Sequence, residues 1–429
     1  MPKLKKTLPA LLLACCLLFS ACTGGLAEAW QRYSNDRLPD APLAALPYID
    51  PNIKTPFTPQ VLSFYYDQLG TENARRIYRA YLQFLIDGDA AKIYIKGDYT
   101  RAEITAALAA LQSDYPQFLA RSWGYTCTYY STTGGSRLGV ELQPLETDTD
   151  FSSLQQELYA ALNALLQRSA DYQDPWQRQL FLYDALIGGA AYSSGTANAA
   201  PLEDGEQLPL RDRLAHTAYG GLVQCNAVCD GYAFAYQLLC SYAGIPAATV
   251  TGMSSKGEDP GGDYVENHAW NLVMLDGQTY YCDPTWDDNG GEYVDADGGR
   301  ITDPVTTDGL RRVLPQVLHR YFDLSYAQMA QDHVFGPRAS YAQEAGPARD
   351  YFAVKGLTAA SGGELEHLLA AACADAEKQD VGFEVRLDYT VPSYAQEIFA
   401  RLGMLGLNAE AQVGYSAGSG CCYVFIYHR

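Results

Sequence analysis

The 429-residue sequence predicts an α+β fold built around one helix packed on an antiparallel sheet. Between residues 213 and 290, an apolar helix pattern precedes two alternating strand patterns. These strands meet at Asp276-Gly277, a strong signal for a two-residue hairpin turn. From residue 350 the pattern runs strand, helix, strand, helix, strand, strand. We therefore expect a central core with a smaller α+β unit on either side.

The stretch before the core predicts several helices and one further hairpin. Thr100 and Glu103 fit a capping box for a helix that begins at residue 101. Residues 131–136, Ser-Thr-Thr-Gly-Gly-Ser, separate two strand patterns rich in Tyr and Thr. The other predicted elements are helices at about 58–69, 73–87, 151–169 and 174–187, and strands at 92–96, 122–131 and 137–144.

The first residues predict export and lipid anchoring. Lys3, Lys5 and Lys6 precede an apolar run, Leu8 to Phe19, that is too short to span a bilayer. The following Phe19-Ser-Ala-Cys22 resembles a bacterial lipobox, which implies cleavage before Cys22 and acylation of its thiol. We predict tethering to the outer face of the bacterial cell membrane; the alternative is an ordinary secretory signal.

Charge and composition indicate which classes of partner the protein can bind and how the chain divides into segments. The net charge of −20 argues against nucleic acid or an anionic membrane surface as a partner. The cysteines after Cys22 are sparse and irregular, so they predict no disulfide framework and no structural zinc site. The predicted segments are a signal peptide at 1–22, a tether at 23–55, an N-terminal α+β unit at 56–150, the core-bearing domain at 151–345 and a C-terminal α+β unit at 350–429.

Cys229 stands at the start of the core helix pattern. The apolar run from Asp230 to Ala243 predicts a helix, which Gly244 and Pro246 end. Unpaired amides and the helix dipole favour a thiolate at such a position. Free cysteines are also common in hydrophobic cores. Cys229 taken alone therefore indicates either a nucleophile or a core thiol.

The predicted hairpin places a histidine and a carboxylate on one face of the sheet. With Asp276-Gly277 as the turn, His268 and Asp283 become diagonal neighbours on adjacent strands. A carboxylate at that position holds the tautomer of an imidazole and stabilises its cation. Asn271 and Cys282 point to the opposite face, so Asn271 is excluded as the orienting group and Cys282 is expected in the core.

Three segments in this region resemble the signature blocks of the transglutaminase-like superfamily. They are Cys229–Ala233, His268–Asn271 and Tyr281–Asp288, and they occur in the family's order. The similarity covers about residues 170–290 and implies a papain-like cysteine-protease fold.

The resemblance also implies roles for three residues. Cys229 would be the nucleophile, His268 the base and Asp283 the orienting acid, in agreement with the helix start and the hairpin register. Members of the family include protein cross-linkers, proteases and amidases, so the fold does not select the reaction.

Weaker patterns suggest further site residues. Two candidates can donate to an oxyanion: the main-chain amide of Cys229 and the side chain of Gln224, which papain-like enzymes place similarly. Gly231 would leave room for a substrate backbone. Trp270 and Trp286 either line the substrate cleft or belong to the core.

The remaining candidate site residues have weaker support from the sequence. Cys225 is a rival nucleophile, but it lacks the helix start that follows Cys229. Residues 295–299 resemble a calcium loop without its regular spacing or terminal Glu, so calcium stays an alternative to an acidic turn. No other metal or cofactor is predicted. Five histidines are interpreted as structural or exposed: His216, His319, His333, His367 and His428.

These features together predict an exported, lipid-anchored cysteine enzyme that acts on amide bonds through an acyl-thioester. Its partners would be protein or peptide substrates, cell-wall peptides included, and the membrane through the lipid anchor. Water as acceptor would make it a protease or amidase, which the resemblance favours; a lysine-type amine would make it a cross-linker. The alternative to an enzyme is a surface binding protein that uses the same scaffold without catalysis.

Overall fold

The structure is a computed structural model. It describes residues 43–87, 92–132, 135–143, 151–197, 208–254, 267–288, 292–294, 300–301, 318–337, 349–376, 381–406, 411–416 and 419–426. The predicted signal peptide with Cys22, most of the tether and residues 295–299 lie outside these ranges. Within them, no helix has the length and apolar character needed to cross a bilayer.

Helices and strands both occur throughout the described chain, as the α+β prediction requires. The α-helices are α1 (Phe64–Asp67), α2 (Glu72–Asp87), α3 (Arg101–Asp114), α4 (Phe151–Arg168), α5 (Pro175–Gly189), α6 (Ser194–Ala197), α7 (Leu210–Leu214), α8 (Cys229–Tyr242), α9 (Pro284–Asp288), α10 (Tyr326–Met329), α11 (Tyr351–Lys355), α12 (Gly362–Ala376) and α13 (Tyr394–Met404). The strands are β1 (Lys92–Lys96), β2 (Gly124–Thr132), β3 (Gly135–Gln143), β4 (Ala191–Tyr192), β5 (Asn226–Ala227), β6 (Ala247–Ser254), β7 (His268–Leu275), β8 (Gln278–Cys282), β9 (Glu292–Val294), β10 (Arg300–Ile301), β11 (His333–Phe335), β12 (Thr358–Ala359), β13 (Val381–Leu387), β14 (Ala411–Ser416) and β15 (Cys421–Ile426).

The chain divides into two compact units. The first includes residues 69–111 and 121–144, and the second includes 47–68, 112–120 and everything from 145 onward. The domain boundaries given by the sequence remain predictions.

The first unit contains the antiparallel sheet β1-β3-β2. The predicted capping box is present: the main-chain N–H of Thr100 donates to Oε2 of Glu103 at 2.9 Å, and the N–H of Glu103 donates to Oγ1 of Thr100 at 3.2 Å. Strands β2 and β3 pair Ser131 with Ser136, so the predicted hairpin is confirmed.

The second unit contains the core sheet, in the order β11-β6-β7-β8, with α8 packed on β6 and β7. The predicted turn is confirmed, because Asp276 and Gly277 have φ angles of 49° and 74°, as a type I′ turn requires. The predicted register is confirmed too, since Asn271 pairs with Cys282. Helix α8 is buried on most sides because it lies between this sheet and α5.

The C-terminal part forms a second sheet, in the order β10-β9-β14-β15-β13-β12. The strand and helix order predicted from residue 350 is confirmed from Thr358 onward by β12, α12, β13, α13, β14 and β15, but the short helix α11 precedes it. Residues 287–310 are acidic and Gly-rich, yet this stretch contains β9 and β10. Strand β9 pairs with β14. Pairing with a distant strand edge overrides the acidic, Gly-rich local composition.

The helix predicted at 58–69 is wrong in part, because only Phe64–Asp67 is helical. Before it, the N–H of Gln60 donates to the carbonyl of Ser241 at 2.8 Å, and Val61 forms a bridge with Ala247. These tertiary hydrogen bonds hold the chain extended against the core sheet.

His319 is buried between two carboxylates. Its Nε2 lies 2.8 Å from Oδ1 of Asp184 in α5, and its Nδ1 lies 2.5 Å from Oε2 of Glu384 in β13. The ring stacks on Tyr351 with a centroid distance of 3.9 Å. Burial opposes the charge on His319, but Asp184 and Glu384 outweigh it and raise the pKa of His319 to about 10. The charged histidine therefore ties three segments of the chain together.

We predict that this histidine makes stability depend on pH. The folded-state pKa of about 10 lies above the ordinary value of 6.5, so the stabilisation is complete below about pH 6.5 and is lost as the pH rises toward 10. The difference in unfolding free energy between the wild type and His319→Gln should shrink across that window. Urea denaturation at pH 6, 8 and 10 measures it, and a difference that stays constant with pH would contradict the charged clamp.

Candidate functional site

Cys229 is the first residue of α8, as predicted. The parallel pair β4 and β5 delivers the chain to this point, and Val228 precedes the helix with extended backbone angles. The thiol is half-buried and lies close enough to His268 to help raise the pKa of that ring. The structure thus brings the predicted nucleophile and the predicted base together.

His268 begins β7 and connects the thiol to a carboxylate. Its Nε2 lies 2.7 Å from Oδ2 of Asp283, which leaves Nδ1 as the ring nitrogen available for proton exchange with a nucleophile. Burial opposes a charge on the ring, but Asp283 and Cys229 outweigh it and raise the pKa of His268 to about 9. At neutral pH the ring therefore carries a proton that can be transferred.

Asp283 is fully buried and accepts four hydrogen bonds. Oδ2 accepts from His268, and also from Nε2 of His333 at 3.1 Å. Oδ1 accepts from the main-chain N–H groups of Thr285 and Trp286 at 2.9 and 3.1 Å. Burial alone would raise the pKa of Asp283, but the two histidines hold it well below its usual range. The carboxyl group is therefore ionised at neutral pH.

The contact between His268 and Asp283 forms at the end of the hairpin. Strand β8 ends at Cys282, and Pro284 opens α9, so Asp283 lies at the N-cap of that short helix. The hairpin register brings the two residues near each other, and the cap geometry then fixes the carboxylate.

The opposite face of the hairpin also matches the prediction. Nδ2 of Asn271 donates to the carbonyl of Ala233 in α8 at 2.8 Å. Cys282 is fully buried, and its thiol lies 3.3 Å from Oδ1 of Asp323. Asn271 therefore ties the helix that carries Cys229 to the strand that carries His268, and Cys282 belongs to the core.

His333 belongs to the site, although it was interpreted from the sequence as structural or exposed. It lies in β11, 50 residues after Asp283 along the chain, with 1% of its surface exposed. Its Nδ1 lies 2.7 Å from Oδ1 of Asp332. The sequence around it offers only a short strand pattern, which carries no catalytic spacing.

Among the described residues, one group of three side chains is compact enough to ligate a metal ion. His268, Asp283 and His333 have donor atoms within 4.8 Å of one another. Hydrogen bonds of 2.7 and 3.1 Å already join the carboxylate to both rings. We therefore interpret the group as a hydrogen-bond network rather than as a metal site.

Residues 166–284 match the model of the transglutaminase-like superfamily, and the match includes all three predicted catalytic residues. This segment belongs to the transglutaminase-like superfamily.

Curated relatives of the transglutaminase-like segment cover only part of the chain. Kyphoscoliosis peptidase of Mus musculus is 33% identical over 104 residues, which are 23% of this chain and 15% of the relative. The Homo sapiens protein of the same name is 35% identical over 79 residues, which are 17% of this chain and 11% of the relative. The chain thus spans a small part of these proteins.

Two solved structures are also similar. The crystal structure of a TGase is 14% identical, with 45% of this chain and 50% of that chain covered, at a TM-score of 0.26. The periplasmic domain of TgpA from Pseudomonas aeruginosa, bound to ethylmercury, is 19% identical, with 35% and 55% covered, at a TM-score of 0.21.

The weaker site predictions for Gly231 and Gln224 have different outcomes in the structure. The prediction that Gly231 makes room for substrate is wrong. A Cβ at Gly231 would lie 2.2 Å from the carbonyl oxygen of Ala215 and 3.1 Å from that of Thr217, so the protein's own main chain fills the space. The amide nitrogen of Gln224 donates to the carbonyl of Arg211 at 3.0 Å, and its oxyanion role stays a prediction.

The two tryptophans separate into a core residue and a site residue. Trp270 is fully buried and packs against His268 and Phe335, so its assignment to the cleft is wrong. Trp286 is partly exposed, and its ring centre lies 5.5 Å from that of His268. Trp286 can therefore contact a substrate beside the imidazole. Cys225, the rival nucleophile, is exposed.

Three residues missed by the sequence interpretation surround the start of α8. Burial raises the pKa of Tyr192 in β4 to about 12, and nearby Cys229 adds to the shift, so the two side chains lie close together. The hydroxyl of Tyr232 donates to Oδ2 of Asp288 at 2.6 Å. Burial raises the pKa of Asp288 to about 6, although Tyr232 and the main chain of Tyr192 oppose the shift, so Asp288 lies close to β4.

The packing of Gly231 gives a testable prediction. Gly231→Ala should destabilise the protein by about 2 kcal/mol or more, because the new Cβ would overlap a main-chain carbonyl that cannot move freely. Gly189→Ala is the matched control: Gly189 is an exposed helical glycine with nothing within 4 Å of a built Cβ. The control should be neutral or slightly stabilising. Thermal unfolding that ranks the two variants equally would contradict this packing.

Proposed function

We propose that the protein is a cysteine enzyme that breaks amide bonds in proteins or peptides through an acyl-thioester. The observation that carries this proposal is the proximity of Cys229, at the start of α8, to His268, whose Nε2 lies 2.7 Å from Oδ2 of Asp283. A thiol at a helix start, an imidazole and a buried carboxylate in that order form an activated nucleophile.

In the first half-reaction the sulfur of Cys229 attacks the carbonyl carbon of the amide. The thiol proton resides on His268, which Asp283 holds in position and stabilises as a cation. When the tetrahedral intermediate collapses, the C–N bond breaks and His268 gives its proton to the leaving nitrogen. The main-chain N–H of Cys229, at the start of α8, can donate to the developing oxyanion.

In the second half-reaction an acceptor attacks the thioester carbonyl. His268 removes a proton from the acceptor and returns it to the sulfur as the C–S bond breaks. Water as acceptor gives hydrolysis, which we favour because the curated relatives bear the name peptidase. A lysine-type amine would give cross-linking by the same residues. The mechanism uses no cofactor.

We predict that four substitutions rank in a defined order in single-turnover acylation by p-nitrophenyl acetate. Cys229→Ala and His268→Ala should abolish acylation. Asp283→Asn should lower its rate at least about 100-fold, because the imidazole loses its orienting charge. Asn271→Ala should affect acylation much less, although it removes the donor to Ala233 and should cost about 1–3 kcal/mol of stability.

Circular dichroism of each variant separates lost folding from lost chemistry. A folded Asn271→Ala protein that acylates more slowly than Asp283→Asn would overturn the assignment of the orienting group. If Cys229 is acylated no faster than Cys225 in the wild type, the non-catalytic scaffold is the better interpretation. Partition of the trapped acyl group between water and N-acetyl-lysine then identifies the acceptor.

The location of the enzyme is a separate proposal, supported by the basic start and the lipobox-like Phe19-Ser-Ala-Cys22. We propose that a lipid on Cys22 holds the enzyme at the outer face of the bacterial membrane. Cys22→Ala should release the protein from the membrane fraction of expressing cells, with Cys16→Ala as a control that keeps it bound. Equal membrane retention of both variants would contradict lipidation at Cys22.

A further inference from the structure

His333 makes two hydrogen bonds to two different carboxylates. Its Nε2 lies 3.1 Å from Oδ2 of Asp283, and its Nδ1 lies 2.7 Å from Oδ1 of Asp332. An ionised carboxylate only accepts hydrogen bonds, and a neutral imidazole has one N–H. Both contacts are satisfied only when both ring nitrogens of His333 carry a proton. The geometry therefore requires a buried imidazolium.

Aromatic rings surround this cation. The ring centre of His333 lies 4.5 Å from that of Trp286, 4.8 Å from that of Trp270 and 5.5 Å from that of Tyr321. These rings pack closely around His333, which has 1% of its surface exposed, and separate it from water. Burial opposes a charge on His333, but the hydrogen bonds to Asp283 and Asp332 outweigh it, so the pKa of His333 is raised.

The charged and titratable groups facing His333 come from several elements. Asp283 and His268 lie on the hairpin side, and Asp332 and Tyr321 lie on the segment that leads into β11. The hydroxyl of Tyr321 donates to Oδ2 of Asp332 at 2.5 Å. The β6 partner of His333 is Ser254, which is uncharged. The two imidazole rings, 5.4 Å apart, share one oxygen of Asp283.

We propose that His333 is a positioning residue of this site: a buried cation that fixes the carboxylate of Asp283 and offsets part of its negative charge. The proposal rests on the nucleophilic role of Cys229 given above. The first effect of His333 is geometric, because a second donor on Oδ2 keeps Asp283 directed at His268. Its second effect is electrostatic, because a neighbouring cation makes it easier for His268 to give up its proton to the leaving group.

Two substitutions separate these effects. His333→Gln keeps a side-chain N–H that can donate to Asp283 but removes the charge. His333→Leu removes both the donor and the charge. The charge effect should appear in both variants, and the geometric effect should appear only in His333→Leu.

The test follows alkylation of Cys229 by iodoacetate from pH 5 to pH 11, with peptide mass spectrometry, in a Cys225→Ser background because Cys225 is exposed. No substrate is needed. An anionic reagent is attracted by the charge on His268, so the rate falls when that ring loses its proton. His333→Gln should move this fall to higher pH by on the order of one unit, because a repelling cation is gone. His333→Leu should also lower the rate near pH 7 about tenfold or more.

Two controls fix the interpretation. Asp283→Asn should move the fall to lower pH, the opposite direction, because it removes an anion beside His268. His319→Gln is matched to His333→Gln, since His319 is also buried between two carboxylates, but it lies outside the site and should leave the profile unchanged.

The outcomes distinguish this proposal from the proposed function. If wild-type Cys229 reacts no faster than the buried thiol of Cys240, the nucleophile assignment fails. If wild-type Cys229 reacts fast and both His333 variants keep its rate and pH profile, the role of His333 is overturned. Should His333→Leu fail to fold, His333→Gln and nitrogen-15 histidine NMR decide. We expect both ring nitrogens of His333 to be protonated at pH 7.5, and a single N–H would overturn the proposal.

Discussion

The site depends on satisfying one fully buried carboxylate. Removing an ionised carboxyl group from water is costly unless hydrogen bonds and opposite charges replace the solvent. Asp283 receives two main-chain donors from the start of α9 and two imidazole donors from β7 and β11. Its requirement for four donors thus fixes the end of the hairpin, the first turn of a helix and both rings at once. The same group that orients the base also holds together the segments that form the site.

The helix that carries the nucleophile is held by the other face of strand β7, which also carries His268. Asn271 alternates with His268 along β7, and its side chain donates to the carbonyl of Ala233 in α8. One strand therefore presents the base on one face and holds the helix of Cys229 on the other. Gly231 permits the main chain of residues 215–217 to approach the first turn of that helix. The position of the thiol follows from packing of main chain on main chain, which no side chain at Gly231 would allow.

Local rules in the sequence were sufficient for the hairpin and its consequences. The Asp276-Gly277 turn set the register, and the period of two set the faces. His333 was not predictable in this way, because its partners lie 50 residues away and one residue away, and neither spacing is a pattern. The role given to Gly231 failed for a related reason: a glycine signals close approach, but not which chain approaches.

The site extends beyond the segment that carries the family similarity. That segment ends at residue 284, one residue after Asp283. The main-chain N–H of Asp283 nevertheless donates to the carbonyl of Tyr321 at 3.0 Å, and Tyr281 and Leu324 exchange hydrogen bonds of 2.9 Å. Residues 318–335 thus continue the hydrogen bonding of β8 and bring His333 to the carboxylate. The matched segment contains the nucleophile, the base and the acid, but the acid is fully hydrogen-bonded only when the later segment is in place.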